Sequence, residues 1–261
     1  GHGAGSSCGK GMSTIPVSSV GYERKHAWWA GYVAKQDFDG FADELLDGQP
    51  EVPTYYPRMK FGNRDGFEYL GRVDIPDRLM PKTLVSLHEE GAQFIDMRDL
   101  EEFGEGHVKG AYNMELSQVA NYAGWYIDAD EKVVLVGTEE QADCAARQLA
   151  RIAVDHIAGW ATHDDTSDVP QASNDVIEAE EARLAYKAGR ATILDVRGED
   201  EWQQGHIEGA TNIHHGRLVD RLDHVPAEPV IVHCATGTRA TVAASYLQAN
   251  GIEDVHVMVP G

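Results

Sequence analysis

The residues of this 261-residue chain best suited to chemistry are a cysteine and an arginine with four residues between them, Cys234 and Arg239. The apolar, β-branched run 230–232 precedes the cysteine and predicts a buried strand, and apolar residues at helical spacing after Arg239 predict a helix. The thiol would then lie at a helix N-terminus beside a cation, and both favour the thiolate. We therefore predict that Cys234 is a nucleophile rather than a packing residue, and that Arg239 faces its pocket.

The residues between these two are predicted to form an anion-binding loop: Ala235, Thr236, Gly237 and Thr238. Gly237 allows a tight turn, because glycine reaches backbone conformations closed to other residues. The two threonine hydroxyls have two possible uses, donating to a bound anion or capping the helix. Capping is the use we expect.

An internal repeat organises the chain around this loop. Residues 94–98 match residues 193–197, and residues 106–113 match residues 205–212 at the same offset. Each copy alternates strands with helices, which is typical of a parallel sheet covered by helices on both faces.

The two copies are predicted to begin alike, with helices over 83–90 and 176–187. Another helix is predicted over 38–46, upstream of both copies. Between the copies, residues 162–174 are rich in Asp, Ser and Thr and predict a linker.

The first copy keeps the scaffold and lacks the reactive loop. Gly137 aligns with the cysteine and Gln141 with the arginine, while Glu139 and Glu140 lie where an anion would bind. We predict that this copy is catalytically inactive and that it packs against the second copy or shapes the approach to the thiol.

Four polar residues of the second copy resemble an acid–base set: Asp195, Arg197, Glu201 and His206. The same residue types recur in the inactive copy, at Asp96, Arg98, Glu102 and His107. We therefore predict a structural role for all of them, in ion pairs and turn hydrogen bonds. Binding of an anionic donor by Arg197 stays open.

Charge, hydropathy and cysteine content limit the functions that the chain can have. A formal net charge of −21 argues against nucleic-acid binding, since phosphate contacts need clustered Lys and Arg. No apolar run approaches the length of a membrane helix and no signal peptide opens the chain, so we expect a cytoplasmic protein without membrane contact. The cysteines Cys8, Cys144 and Cys234 are odd in number and far apart, which argues against disulfides. Cys8 and Cys144 are expected to be packing or helix-face residues.

The order Asp-Val-Arg (195–197), Gly-His-Ile-x-Gly-Ala (205–210) and Cys-x4-Arg (234–239) resembles the rhodanese family. The resemblance covers the second copy almost throughout and the first copy by its scaffold. It implies an α/β protein with two rhodanese-like domains, inactive over 76–165 and active over 172–261, each a parallel sheet flanked by helices.

The resemblance also implies a sulfurtransferase in which the loop cysteine, here Cys234, carries sulfane sulfur as a persulfide. The expected donor is thiosulfate or a low-molecular-weight persulfide, and the expected acceptor is a thiol or cyanide. This chemistry requires no cofactor. The oligomeric state is not predicted.

Residues 1–75 resemble the C-terminal end of a metallo-β-lactamase-fold domain of the glyoxalase II and persulfide dioxygenase type. The resemblance rests on the opening His-Gly-Ala-Gly-Ser from His2, on Val-Gly-Tyr-Glu-Arg at 20–24 and on Pro-Thr-Tyr-Tyr at 53–56. His2 would match a histidine near the metal, but the His-x-His-x-Asp-His signature is absent and one histidine cannot hold the ion. We predict no metal site here, and expect the chain to be a fragment of a longer fusion; iron or zinc would come with the missing portion.

Three alternatives remain. A cysteine-dependent phosphatase or arsenate reductase also uses a Cys-to-Arg loop, but the resemblance to those families implies five intervening residues rather than four. The main chemistry could instead lie upstream, in a metal-dependent persulfide dioxygenase or thioester hydrolase with the repeats as accessories. A non-catalytic interaction module suits the first repeat and not the second.

Overall fold

A computed structural model of the protein describes residues 17–47, 51–67, 69, 71 and 73–259. His2, Cys8 and the glycine-rich opening loop lie outside these residues. The described residues fall into two compact units, divided between Glu51 and Val52. No helix in the described ranges is long and apolar enough to cross a membrane.

The described part of the first unit contains three short helices: α1 (Val20–His26), α2 (Ala30–Lys35) and α3 (Phe38–Leu46). The helix predicted over 38–46 is confirmed as α3. It begins at Asp37, whose carboxylate accepts a hydrogen bond from the Gly40 backbone N–H at 3.0 Å and so caps the helix. The Trp28 ring stacks on Phe41 with 5.5 Å between ring centroids.

The second unit contains both repeats. The elements of its first half are α4 (Tyr56–Asp65), α5 (Pro81–Glu89), β1 (Gln93–Asp96), α6 (Leu100–Glu105), β2 (His107–Val108), β3 (Tyr112–Asn113), α7 (Val119–Tyr126), β4 (Val133–Val136), α8 (Glu139–Ala150) and β5 (Ile157–Ala161). Four of the strands form a parallel sheet in the order β3-β1-β4-β5. Strand β4 consists of Val and Leu residues that are all buried, as expected for a strand covered on both faces.

The elements of the second half are β6 (Gln171–Ala172), β7 (Asp175–Glu178), α9 (Ala179–Lys187), β8 (Thr192–Asp195), α10 (Glu199–Gln204), β9 (Thr211–Asn212), β10 (Val230–His233), α11 (Thr238–Ala249) and β11 (Val255–Val259). Five strands form a second parallel sheet in the order β7-β11-β10-β8-β9. The predicted α/β class, with two parallel sheets flanked by helices, is confirmed.

The helix predicted over 176–187 is wrong at its start. Val176 and Ile177 lie in strand β7, paired with Val257 and Met258 of β11, and the helix begins only at Ala179. Pairing with β11 provides backbone hydrogen bonds for Val176 and Ile177 at the edge of the sheet. This strand pairing overrides the helical pattern of the sequence. In the first repeat the same edge is reduced to a single parallel bridge, between Arg78 and Trp160.

The predicted linker, 162–174, is partly built into the fold. Strand β6 pairs antiparallel with β2 of the first repeat, and Val169 is buried.

Upstream, the Thr54 hydroxyl donates to the Gly124 carbonyl at 2.8 Å, and the Arg58 guanidinium donates to the Ile152 carbonyl. Residues 52–67 thus contact the first repeat, while the predicted domain limits at 75, 165 and 172 stay predictions.

The two repeats share one buried apolar cluster, centred on helix α11. Residues 240–247 of this helix are all buried, because one side covers the second sheet and the other meets the first repeat. The Ser245 hydroxyl accepts a hydrogen bond from the Asn113 backbone N–H at 3.1 Å. The Tyr246 ring lies 4.9 Å from that of Tyr126, between centroids. The helix that follows the reactive loop is therefore held by both repeats.

Gly216 provides a test of this contact. A methyl group there would lie 2.1 Å from the Trp125 ring of the first repeat, so we expect Gly216→Ala to lower the free energy of unfolding by about 1–3 kcal/mol. Gly106→Ala is the matched control, since a methyl group at that extended glycine meets no atom within 4 Å. Denaturant unfolding measures both. Equal stability of the two variants would contradict the packing of the repeats.

Candidate active site

The strand, loop and helix predicted around Cys234 are confirmed. The cysteine follows β10 directly, and α11 begins four residues later at Thr238. Its side chain is buried, with 9% of the residue exposed. Gly237 adopts φ 95°, and its backbone N–H donates a hydrogen bond to the Cys234 Sγ at 3.2 Å. The sulfur therefore occupies the positive end of the helix, where an anionic sulfur is stabilised.

The capping role expected for the loop threonines is wrong. The N-cap position belongs to Gly237, and no side chain caps the helix. The hydroxyls of Thr236 and Thr238 instead contact each other, with their oxygens 3.2 Å apart. The N–H groups of the first helical turn are thereby left for the sulfur and for whatever binds beside it.

The first repeat handles the same helix end differently. Thr138 and Gln141 form a reciprocal capping box, in which each side chain accepts a hydrogen bond from the other residue's backbone N–H. A Cβ atom on Gly137 would lie 2.6 Å from the Gln141 Oε1 and 3.0 Å from the Met97 Cε. The side chains of Gln141 and Met97 therefore occupy the space that a cysteine side chain would need, and the capping box uses backbone N–H groups at the start of the helix. Both observations support the predicted inactivity of this repeat.

Arg239 does not approach the sulfur as an unpaired cation. Its guanidinium makes two hydrogen bonds to the Glu201 carboxylate, at 2.5 and 2.9 Å. This ion pair lowers the pKa of Glu201 and raises that of Arg239, and the charge of Cys234 adds to the rise at Arg239. An arginine in the first helical turn is unfavourable against the helix dipole, and Glu201 offsets this. The catalytic role predicted for Arg239 stays a prediction.

The structural role predicted for the repeated Asp and Arg residues agrees with their contacts. Arg197 donates to the Asp195 carboxylate and to the Gly205 carbonyl. Arg98 makes the equivalent bonds to Asp96 and to Gly106. In both repeats an arginine therefore links the end of a strand to the following turn, whether or not a nucleophile is present.

The repeated histidines are structural as well. His206 stacks on Trp202 and His107 stacks on Phe103, each with 3.7 Å between ring centroids. Glu201 is the exception in the polar set, because its partner Arg239 has no counterpart in the first repeat, where Gln141 stands.

Sequence reasoning missed a contact between the two repeats that involves His215. His215 begins a short 3₁₀ helix (His215–Asp220), and its ring lies edge-on to Tyr122 of the first repeat with 5.4 Å between centroids. Burial, followed by the charges of His214 and Arg239, lowers the pKa of His215 to about 3, so this ring is neutral. In the sequence, only the His-His pair that follows β9 indicated this contact, because Tyr122 reaches His215 through the packing of the repeats.

The corresponding place in the first repeat is an acidic cleft. It has a volume of about 770 Å³, and its acidic lining residues are Asp99, Glu102, Glu115 and Asp164. These charges repel anionic sulfur donors. No group of three His, Cys, Asp or Glu residues in the described parts of the chain could hold a metal ion.

The neutral His215 predicts a pH dependence of stability. Its pKa in the folded protein, about 3, lies below its unfolded value, so the unfolded chain binds the proton first and stability falls as the pH drops below about 6.5. We expect this group to remove about 2 kcal/mol of unfolding free energy between pH 7 and pH 5. Urea unfolding at both pH values should show a smaller loss for His215→Asn. The exposed His224→Asn is the control, and equal losses in all three proteins would contradict a neutral His215.

Comparison with known proteins bears on the family. The model of the rhodanese-like domain matches residues 80–163 and 178–261. An HTH-type transcriptional regulator of Mycobacterium tuberculosis is 32% identical over 114 residues, covering 41% of this chain and 50% of the regulator. The thiosulfate sulfurtransferase GlpE of Pseudomonas entomophila is 31% identical over 77 residues, covering 29% of this chain and 71% of GlpE.

Among solved structures, a metallo-β-lactamase from Staphylococcus aureus is similar, with 29% identity and a TM-score of 0.49. The match covers 62% of this chain and 44% of that protein. The chain thus spans about half the length of the regulator and less than half of this lactamase. The two family matches lie on the two repeats, and the chain belongs to the rhodanese family, with two rhodanese-like domains in tandem.

Proposed function

We propose that the second repeat is a sulfurtransferase that moves sulfane sulfur through a persulfide on Cys234. Membership of the rhodanese family and the likeness to a thiosulfate sulfurtransferase support sulfur transfer at the level of the family. The observation that carries the proposal is the hydrogen bond from the Gly237 N–H to the Cys234 sulfur at an uncapped helix N-terminus.

Transfer takes two substitutions at sulfur. In the first, the Cys234 thiolate attacks the sulfane sulfur of the donor; a new S–S bond forms, and the donor's S–S bond breaks. With thiosulfate as donor, sulfite leaves with the electron pair, and the negative charge stays on the outer sulfur of the enzyme persulfide. In the second, a thiolate or cyanide attacks that outer sulfur, and the Cys234 thiolate leaves. Neither step needs a redox partner, so we propose that no cofactor takes part.

The surroundings of the sulfur support this chemistry. Negative charge is present on sulfur before, during and after each step, and the helix N-terminus stabilises it throughout. Since Glu201 neutralises the Arg239 guanidinium, that stabilisation comes mainly from backbone N–H groups. A transferred phosphoryl group carries more charge and needs a larger cradle, so this loop favours sulfur over phosphate.

Mass spectrometry after incubation with thiosulfate tests the proposal. We expect the mass of one added sulfur atom on the peptide that contains Cys234. Cys234→Ser should lower thiosulfate:cyanide turnover by about 10³-fold or more, since it removes the nucleophile. The exposed Cys144→Ser is the matched control and should keep full turnover. An unmodified Cys234, or turnover that survives Cys234→Ser, would refute the proposal.

A further inference from the structure

Leu100, the first residue of helix α6 in the inactive repeat, lies beside the reactive loop of the other repeat. A Cβ atom on Gly237 would lie 3.6 Å from the Val259 Cγ1 and 3.9 Å from the Leu100 Cδ2. Within the described residues, no other atom lies within 4 Å of that point, apart from the neighbours of Gly237 in the chain. Gly237 is buried, although Ala235 and Thr236 before it are exposed. Two apolar side chains therefore cover the side of Gly237 that carries no side chain.

The internal repeat shows that helix α6 does not itself require a leucine at this position. At the offset that relates the two repeats, the residue equivalent to Leu100 is Glu199, which begins α10 and is exposed. An acidic residue in the first turn is favoured by the helix dipole, and the rest of the first turn of α6 is acidic. Leu100 is instead half-buried and packs against the apolar cluster that the two repeats share. The contact between the repeats accounts for this apolar residue.

The glycine that Leu100 covers is the one that binds the sulfur. The Gly237 backbone N–H donates to the Cys234 Sγ at 3.2 Å, and its φ of 95° is unfavourable for residues with a side chain. The direction of this N–H therefore depends on how the loop is packed. Apolar groups beside it keep out water, which would compete for the N–H and weaken the field of the helix end. Leu100 is thus placed to act on the sulfur through Gly237.

We propose that Leu100 is a positioning residue for sulfur transfer: by covering Gly237, it keeps the backbone N–H of that glycine directed at the Cys234 sulfur and protected from water. This assignment rests on the sulfur transfer proposed above. The thiolate that attacks the donor, and the same sulfur when it leaves in the second step, are then stabilised by a donor that needs no rearrangement. The repeat without a nucleophile contributes to the reactivity of the other through one apolar side chain.

Leu100→Ala removes the cover, and hydrogen exchange at the Gly237 amide measures the result directly. We expect exchange of this amide to become about tenfold faster, and single-turnover formation of the Cys234 persulfide from thiosulfate to become about tenfold slower. Leu100→Met restores an apolar side chain of similar volume and should return both rates to within about threefold of the wild-type values.

Leu116→Ala is the matched control. Leu116 is also a half-buried leucine of the first repeat and packs against the same cluster, but none of its atoms lies within 4 Å of the Cβ position at Gly237. Its truncation should therefore change neither the exchange of the Gly237 amide nor the rate of persulfide formation.

The outcomes separate the two proposals. Wild-type rates of persulfide formation in Leu100→Ala would overturn the role of Leu100 and leave sulfur transfer intact. Slow persulfide formation with unchanged exchange at Gly237, or equal slowing in Leu116→Ala or Leu100→Met, would also overturn it, because the effect would not come from an apolar cover on Gly237. Absence of a persulfide on the wild-type enzyme would overturn both proposals.

Discussion

The hydrogen bond from the Gly237 N–H to the Cys234 sulfur is the interaction on which the rest of the site depends. A buried helix end with unsatisfied N–H groups is costly, and proteins usually satisfy it with a polar side chain. Helix α11 has no such side chain, and the sulfur takes that place. In the first repeat, Thr138 and Gln141 satisfy the equivalent helix end. The difference in activity that we infer between the repeats thus follows from what occupies one helix N-terminus.

The charged side chains around the sulfur also leave its stabilisation to the backbone. The chain carries a net charge of −21, and an anionic sulfur in such a protein needs local stabilisation. Arg239 contributes less than an unpaired cation would, because Glu201 binds its guanidinium, and His215 is neutral. We therefore infer that backbone dipoles carry most of the stabilisation. Unlike a side-chain cation, they cannot be titrated away or drawn to another carboxylate.

Local sequence patterns predicted the parts of the fold that depend on interactions between residues close in sequence. The strand before Cys234 and the helix after it were predictable from β-branched and apolar periodicity, and the repeat was predictable from matched turn residues. The strand at Val176 and Ile177 was not, because its partner β11 lies far along the chain. The prediction that the loop threonines cap the helix was wrong, because capping depends on the backbone conformation at Gly237. The contact of Tyr122 with His215 was not predictable either, since only the packing of the repeats brings the two rings together.

Packing also accounts for why an inactive repeat can persist beside an active one. Helix α11 is buried on every side, and its Ser245 and Tyr246 contact the first repeat. Those contacts come from β3 and α7, which are remote in sequence from the altered loop at Gly137. Loss of a nucleophile there leaves the shared core unchanged, whereas loss of the whole repeat would expose one face of the helix that holds Cys234. The first repeat therefore covers the helix that follows Cys234, independent of any chemistry of its own.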